Sequence, residues 1–297
     1  GLLLRGDRRR RMMLACLGLA AGLMWTGTYG QMTHAPAQAL AGTEGTISAT
    51  AADWPRETAY GSSVLVYLRP ERGLPISTRL YLDDPSPDLR PGDRLTVPAE
   101  LRLADTIAGE HTDYYYAKGI LLVAYGEGEA EVSRPVRPPW WTWPAYAARA
   151  LEDSVERAFP DWAAPLVTAL ITGEDAGMDG GEYAALRRTG LSHVISVSGL
   201  HVSFLAGCLA ALLGAWRRRT AVISIALMFF FAAAVGNTPA VLRAAFMQSM
   251  LLLAPLVGRE DDRPTSLLTI LMLLLVQNPY AAASVPLQLS FAAVAGI

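Results

Sequence analysis

Charge is scarce in this chain. Of 297 residues only 18% are Asp, Glu, Lys or Arg, against about 25% in an average soluble domain, while 52% are apolar. The net charge is −2, so no overall basic field marks a nucleic-acid binder. Cysteine is nearly missing: Cys16 and Cys208 both lie in apolar runs, which excludes a disulfide-stapled scaffold. The four histidines are His34, His111, His193 and His201. The pair His193 and His201 has no third ligand at metal-site spacing, so no metal, no cofactor and no catalytic residue is assigned. High apolar content excludes intrinsic disorder. What remains is a membrane protein with a soluble part.

The charge that is present is unevenly spread. Residues 1–41 carry a net +4, residues 42–139 a net −5, residues 140–188 a net −4 and residues 189–297 a net +3. In the last segment only nine of 109 residues are charged. These shifts divide the chain into an N-terminal transmembrane anchor (1–41), a polar domain (42–139), amphipathic interfacial helices (140–188) and a helical membrane domain (189–297). Arg8 to Arg11 precede an apolar stretch from Met12 to Tyr29, close to the shortest run that spans a hydrocarbon core of about 30 Å. The same signs describe a signal peptide with Ala35-Pro36-Ala37 as its cleavage sequence. On both readings the arginines stay cytoplasmic and the polar domain is exported.

From Gly42 to Arg134 the pattern is that of strands. Ser63–Leu68, Ser77–Leu82 and Arg94–Leu101 are short β-prone runs, separated by turn sequences such as Arg90-Pro91-Gly92-Asp93. About five strands in a domain of this size suit a small barrel of the oligonucleotide/oligosaccharide-binding (OB) kind; another small barrel or sandwich fits the pattern as well. Tyr114, Tyr115 and Tyr116 beside Lys118 are able to stack bases, but the acidic balance of the domain favours packing of the barrel as their role.

Trp140, Trp141, Trp143 and Tyr146 form an aromatic group of the membrane-interface type, and residues 150–172 are amphipathic, as for a helix lying on the membrane surface. Apolar spans come next, at about His193–Trp216, Ala221–Gly236, Pro239–Val257, Leu267–Val276 and from Val285 onward. Several are too short for an upright span, which predicts tilted or mutually buried helices. Arg217 to Arg219 belong on the cytoplasmic side, which puts Asn237-Thr238 outside and returns Arg259 and Arg263 to the inside. The fold class expected is a polytopic α-helical membrane protein carrying an inserted, exported, OB-like β-barrel domain.

The densest motif runs from Tyr183 to Phe204, YAALRRTGLSHVISVSGLHVSF. On a helix, Ser192, Ser196, Gly199, Ser203, Gly207, Ala210 and Gly214 make one face of small residues, which lets helix backbones approach closely in a bilayer. Ser192, Ser203 and Gly207 are therefore packing candidates. His193, Ser198 and His201 fall off the stripe and face a polar cavity on this reading, since polar groups within apolar spans are functional by default. Ser198 and His201 also suggest an intramembrane serine hydrolase. Against it, both sit on one helix and no G-x-S-x-G elbow surrounds Ser198.

Several ordered motifs resemble the ComEC/Rec2 competence family: Gly173-Glu174-Asp175, Thr189-Gly190-Leu191-Ser192-His193, Ser196 to Val202, Gly236-Asn237-Thr238-Pro239-Ala240-Val241-Leu242-Arg243-Ala244, and Gln277-Asn278-Pro279-Tyr280 followed by Gln288-Leu289-Ser290-Phe291. In the polar domain, Pro91-Gly92-Asp93-Arg94 and Asp113 to Ile120 match patterns of that family's exported barrel. The resemblance implies the N-terminal portion of a multi-pass channel of the bacterial inner membrane that passes single-stranded DNA into the cytoplasm during natural transformation. It implies a lipid bilayer, extracellular or periplasmic DNA receptors and a cytoplasmic motor as further partners. His193, Ser196, Ser198, Gly199, His201, Asn237 and Arg243 become candidates for the pore and the strand path. An intramembrane hydrolase on Ser198 and a solute transporter are the competing readings. The chain departs from many relatives in lacking an H-x-H-x-D-H nuclease run, and from some in having no barrel cysteine. It also stops at Ile297 where relatives continue with more helices, so a fragment is expected.

Overall fold

The long apolar run near the N-terminus is helical, as its uninterrupted composition requires. In the computed structural model α1 spans Leu2–Tyr29, passes into a π-helical turn at Gly30–His34, and continues as α2, Ala35–Leu40. The described residues are all except 1, 59–60, 70–73, 84–87, 108–109, 129, 174–177, 179, 191–196, 198, 214–217, 255–257, 259–261 and 297. The apolar side chains of α1 are bare, with Leu19 67% and Met24 74% exposed. Among the described residues, Arg10–Leu40 is the one helix long and apolar enough to cross a membrane. The C-terminal end of this run belongs to the next domain, because Ala37 is fully buried with Leu40 and Ala41 against the barrel core.

The polar domain is a closed barrel. Its strands are β1 (Glu44–Ala51), β2 (Arg56–Thr58), β3 (Gly61–Leu68), β4 (Ile76–Leu82), β5 (Arg94–Leu103), the short pair β6 (Thr106–Ile107) and β7 (Glu110–His111), β8 (Leu122–Gly126) and β9 (Glu131–Ser133), with α3 (Tyr114–Ala117) before β8. β1 pairs antiparallel with β3, β3 with β4, β8 with β5, and β5 returns to β1, while β4 and β8 run parallel. Five strands thus close on themselves and no main strand keeps a free edge. The alternation that marked the strands sets the faces: in β4, Ile76, Thr78, Leu80 and Leu82 point inward while Ser77, Arg79 and Tyr81 point outward. Val64, Val66, Leu80, Leu95, Val97 and Leu122 fill the core.

The motif Arg90-Pro91-Gly92-Asp93 is a turn locked from inside. The Asp93 carboxylate, 2% exposed, accepts the Arg90 backbone N–H at 3.0 Å and pairs with Arg134 at 3.1 Å.

Beyond the barrel a 3₁₀ turn (Trp140–Thr142) leads into α4 (Trp143–Ala158), α5 (Ala164–Thr172), α6 (Gly180–Arg188), α7 (Gly199–Leu213), α8 (Arg218–Ala234), α9 (Pro239–Leu253), α10 (Arg263–Gln277), a 3₁₀ turn (Pro279–Ala283) and α11 (Val285–Ala295). Over their described residues the five apolar segments expected from residue 193 onward are helical. Their described helices run 11 to 17 residues, against roughly 20 for an upright span. α9 is central, packing against α7, α8, α10 and α11. One small core joins Val197, Val202, Met228, Ala232, Val241 and Ala245; a second joins Ile270, Leu274 and Leu287 with Phe246 and Phe291. Trp140, Trp143 and Trp162 are 77%, 59% and 78% exposed.

Candidate functional site

Two seams organise the helical domain, and the motif residues lie along them. The first joins α7 to α9. Gly173 ends α5 in a left-handed conformation, φ +76°, that glycine adopts without penalty. A Cβ there would sit 2.9 Å from Val197 Cγ2, so Gly173 lets the chain entering α7 pack close. At Gly199 an added Cβ would lie 3.3 Å from the Ala244 Cβ, and one turn on, Gln248 Nε2 donates to Ser203 Oγ at 3.0 Å. Residues 199 and 203 thus meet 244 and 248, which makes α7 and α9 parallel neighbours. Of the stripe expected from the spacing, Gly199 and Ser203 face α9. Gly207 departs from it: a Cβ there meets nothing within 4 Å. The packing role expected for Gly207 is not seen, because the close approach ends before the second turn beyond Gly199. Ser192, His193, Ser196 and Ser198 lie outside the described residues; His201 is half-buried on α7.

The turn before α9 follows from its sequence. Gly236 and Asn237 both have positive φ, +83° and +54°, and Asn is among the few residues with a side chain that tolerate this region. The Asn237 N–H donates to Ala232 O at 2.8 Å and closes α8. Pro239 takes the first helical position, where its missing N–H costs nothing. Thr238 holds the N-cap position, but its side chain makes no cap bond, and its buried Oγ1 has no partner among the described residues.

Arg243 lies one turn into α9 and faces away from α7. Its Nη1 donates to Ser290 O on α11 at 2.6 Å, with the guanidinium 5.9 Å from the Phe291 ring, while its buried Nε has no partner among the described residues. The bond to Ser290 ties α9 to α11, a role that its reading as a strand-path candidate did not contain.

The second seam was missed by sequence reasoning. Asn278 Nδ2 donates to the carbonyls of Tyr116 (2.8 Å) and Ala117 (3.2 Å) in the barrel helix α3. Its Oδ1 accepts the Tyr280 N–H at 3.1 Å. The Tyr280 ring stands 5.8 Å from Tyr116, 6.0 Å from Tyr29 and 6.0 Å from His34. The π-helical turn explains why Tyr29 and His34 both reach it, since i→i+5 bonding brings residues five apart onto one face. Trp25 Nε1 donates to Val276 O at 2.9 Å. Anchor helix, barrel and helical domain thus meet at one point, built from the Gln277-Asn278-Pro279-Tyr280 motif. Burial pushes the Tyr116 hydroxyl up to about 12, with nearby Asp105 adding to it, so the ring enters the seam neutral.

Because Asn278 donates to two backbone carbonyls, Asn278→Ala should leave Ala117 O without this donor while Tyr116 O keeps the Gly119 N–H at 2.9 Å, at a cost of about 1–3 kcal/mol. Thermal unfolding of the whole chain in mild detergent should show this as a lowered midpoint for Asn278→Ala, and an unchanged midpoint would mean that the dock contributes little.

This geometry defines a class: a closed barrel on an apolar helix, clamped to a domain of short apolar helices. Residues 170–297 match the family model described as "Competence protein". ComE operon protein 3 of Bacillus subtilis (strain 168) is 30% identical over 130 residues, which make up 43% of this chain and 17% of that protein. The match thus spans less than a fifth of that relative's length. No solved structure matches the chain. Residues 170–297 are thus similar to the competence proteins that the motifs resemble.

Proposed function

We propose that the chain is the barrel-bearing portion of a polytopic inner-membrane channel that admits single-stranded DNA to the cytoplasm during natural transformation. The observation that carries this reading is the competence domain itself, folded as short apolar helices against the barrel. On this reading the chain binds and guides the strand and performs no catalysis. α1 and the apolar helices lie in the bilayer, and the exposed tryptophans sit at its interface.

The second seam supports the orientation. With Arg8 to Arg11 and Arg263 on the cytoplasmic side, α1 and α10 both end outside, where the exported barrel belongs. Their C-terminal ends do meet at the barrel through Trp25, Asn278 and Tyr280. The turn at Asn237 then lies outside as well, and the strand enters beside the start of α9, with Asn237 and Arg243 at the mouth. Helix starts favour phosphate through free N–H groups and a partial positive charge. His193, Ser196, Ser198 and His201 line the path further in, while Gly199 packs against Ala244 in the α7–α9 seam. Surface DNA receptors deliver the strand and a cytoplasmic motor draws it in.

A reporter active only outside the cytoplasm should work when fused after Glu110 and be silent after Arg219; the opposite pattern overturns the topology. In a transformable host, deleting residues 189–297 from the full-length protein should abolish entry of labelled strand into the cytoplasm while DNA still binds the cell surface. Undiminished entry would refute the channel.

A further inference from the structure

The barrel has one surface region unlike the rest. The outward rows of β4, β8 and β5 place Tyr81 beside Tyr125 and Glu100, and Arg79 beside Val123 and Arg102. Tyr81 and Tyr125 stack at 5.6 Å with 16° between planes, and the Arg102 guanidinium lies 5.4 Å from the Tyr125 ring. At the other side the Tyr81 and Tyr115 hydroxyls are hydrogen-bonded at 3.1 Å. Tyr115 meets Tyr114 edge-on at 5.3 Å, and Lys118 Nζ stands 4.1 Å over the Tyr114 ring. The chain of neighbours runs unbroken from Lys118 through Tyr114, Tyr115, Tyr81 and Tyr125 to Arg102. Tyr114 and Tyr125 are 50% and 44% exposed, so these rings are not simply barrel core.

We propose that this ribbon is a binding site for single-stranded nucleic acid, with bases stacking on the tyrosines and phosphates meeting Lys118, Arg79 and Arg102. The proposal rests on the DNA-channel reading and adds to it a site on the barrel. Charge supports it. The region holds three of the ten basic side chains in residues 42–139 and two of the fifteen acidic ones, Glu100 and, beside Tyr114, Asp113. Glu100 grips Arg102 through two bonds of 2.6 and 2.7 Å, which orients the guanidinium and tempers its charge. The acidic remainder of the barrel confines a polyanion to this strip. Burial and the bond with Tyr81 hold the Tyr115 hydroxyl at about 12, so no phenolate repels phosphate there. A single strand exposes the base faces that a duplex hides, and aromatic stacking accepts any base. A site with few cations holds the strand loosely, as passage requires. The ribbon also ends at α3, whose next residue, Tyr116, packs on Tyr280 of the competence domain. A strand on the ribbon is thereby brought to the edge of the helical domain.

The test uses the whole chain in lipid nanodiscs and the fluorescence anisotropy of a labelled oligothymidylate at low salt. The parent should bind it, and a duplex of equal length should compete poorly. Tyr125→Ala and Tyr114→Ala should each weaken binding about tenfold, while Tyr125→Phe stays near the parent. Lys118→Gln should lower the slope of log K against log salt by about 1. Circular dichroism keeps misfolded variants out of the comparison. The proposal falls if the parent does not bind the strand, if both alanine variants bind as the parent does, or if the parent binds a cell-wall oligosaccharide in its place. Strand entry in cells separates this proposal from the channel reading. Entry that needs the full-length protein but is untouched by the tyrosine changes sinks the ribbon alone. Entry that does not need the protein sinks the channel.

Discussion

Gly199→Leu should cost most of the correctly folded protein, with Gly199→Ala close to the parent. The α7–α9 seam leaves 3.3 Å between a Cβ at 199 and the Ala244 Cβ, so alanine fits after a shift of a few tenths of an ångström. A leucine needs its whole branched group in the same place. Overpacking of this kind costs about 1–3 kcal/mol in soluble cores, and in a bilayer close backbone packing is itself what drives helix association. Forcing α7 away from α9 also breaks the Ser203–Gln248 bond, so the damage extends a full turn. The measurement is the yield of monodisperse protein in mild detergent at equal expression, where leucine should lower it several-fold. Ala244→Gly should restore part of the yield of Gly199→Leu, because the obstructing methyl is gone. Equal yields for leucine and alanine would mean that α7 and α9 are not closely packed at this point.

How much of this was legible depends on how local each signal is. The strands Ser63–Leu68, Ser77–Leu82 and Arg94–Leu101 declare themselves through β-branched and alternating residues, and they are three of the five strands that close the barrel. β1 does not, because Glu44–Ala51 reads EGTISATA and small residues carry little β preference. The packing of the anchor's end against the barrel was not legible either. An alanine in an apolar helix looks the same facing lipid or a barrel, so nothing marked Ala37 as barrel core. The Gly199 contact was legible because small residues at spacings of three and four have a direct steric meaning. The same rule overreached at Gly207, since spacing cannot tell where two helices diverge. Asn278 and Tyr280 were visible as a motif but not as a dock, because their partner Tyr116 is 162 residues away from Asn278 and no local pattern encodes such a distance.

Arg243 should separate a structural tie from a strand contact. Its position about 6 Å into α9 gives it two jobs on the present reading: it holds α11 through Ser290 O and offers positive charge at the mouth of the path. Glutamate removes both, since a carboxylate cannot donate to the Ser290 carbonyl and repels phosphate. Arg243→Glu should therefore lower both the membrane level of the full-length protein and uptake. Glutamine is the informative change. Its side-chain amide still donates, but from two atoms nearer the backbone, so the tie to Ser290 O is weakened and the charge is gone. Lysine keeps the charge and one donor. At matched membrane levels, transformation frequency should fall at least tenfold for Arg243→Gln, the size of one lost charge-assisted hydrogen bond, and only partly for Arg243→Lys. The buried Nε, which has no partner within the described residues, is a donor that only arginine supplies, which is why lysine should not restore full uptake. If Arg243→Gln takes up DNA as well as the parent while Arg243→Glu does not, Arg243 is a tie between α9 and α11 and the strand passes elsewhere.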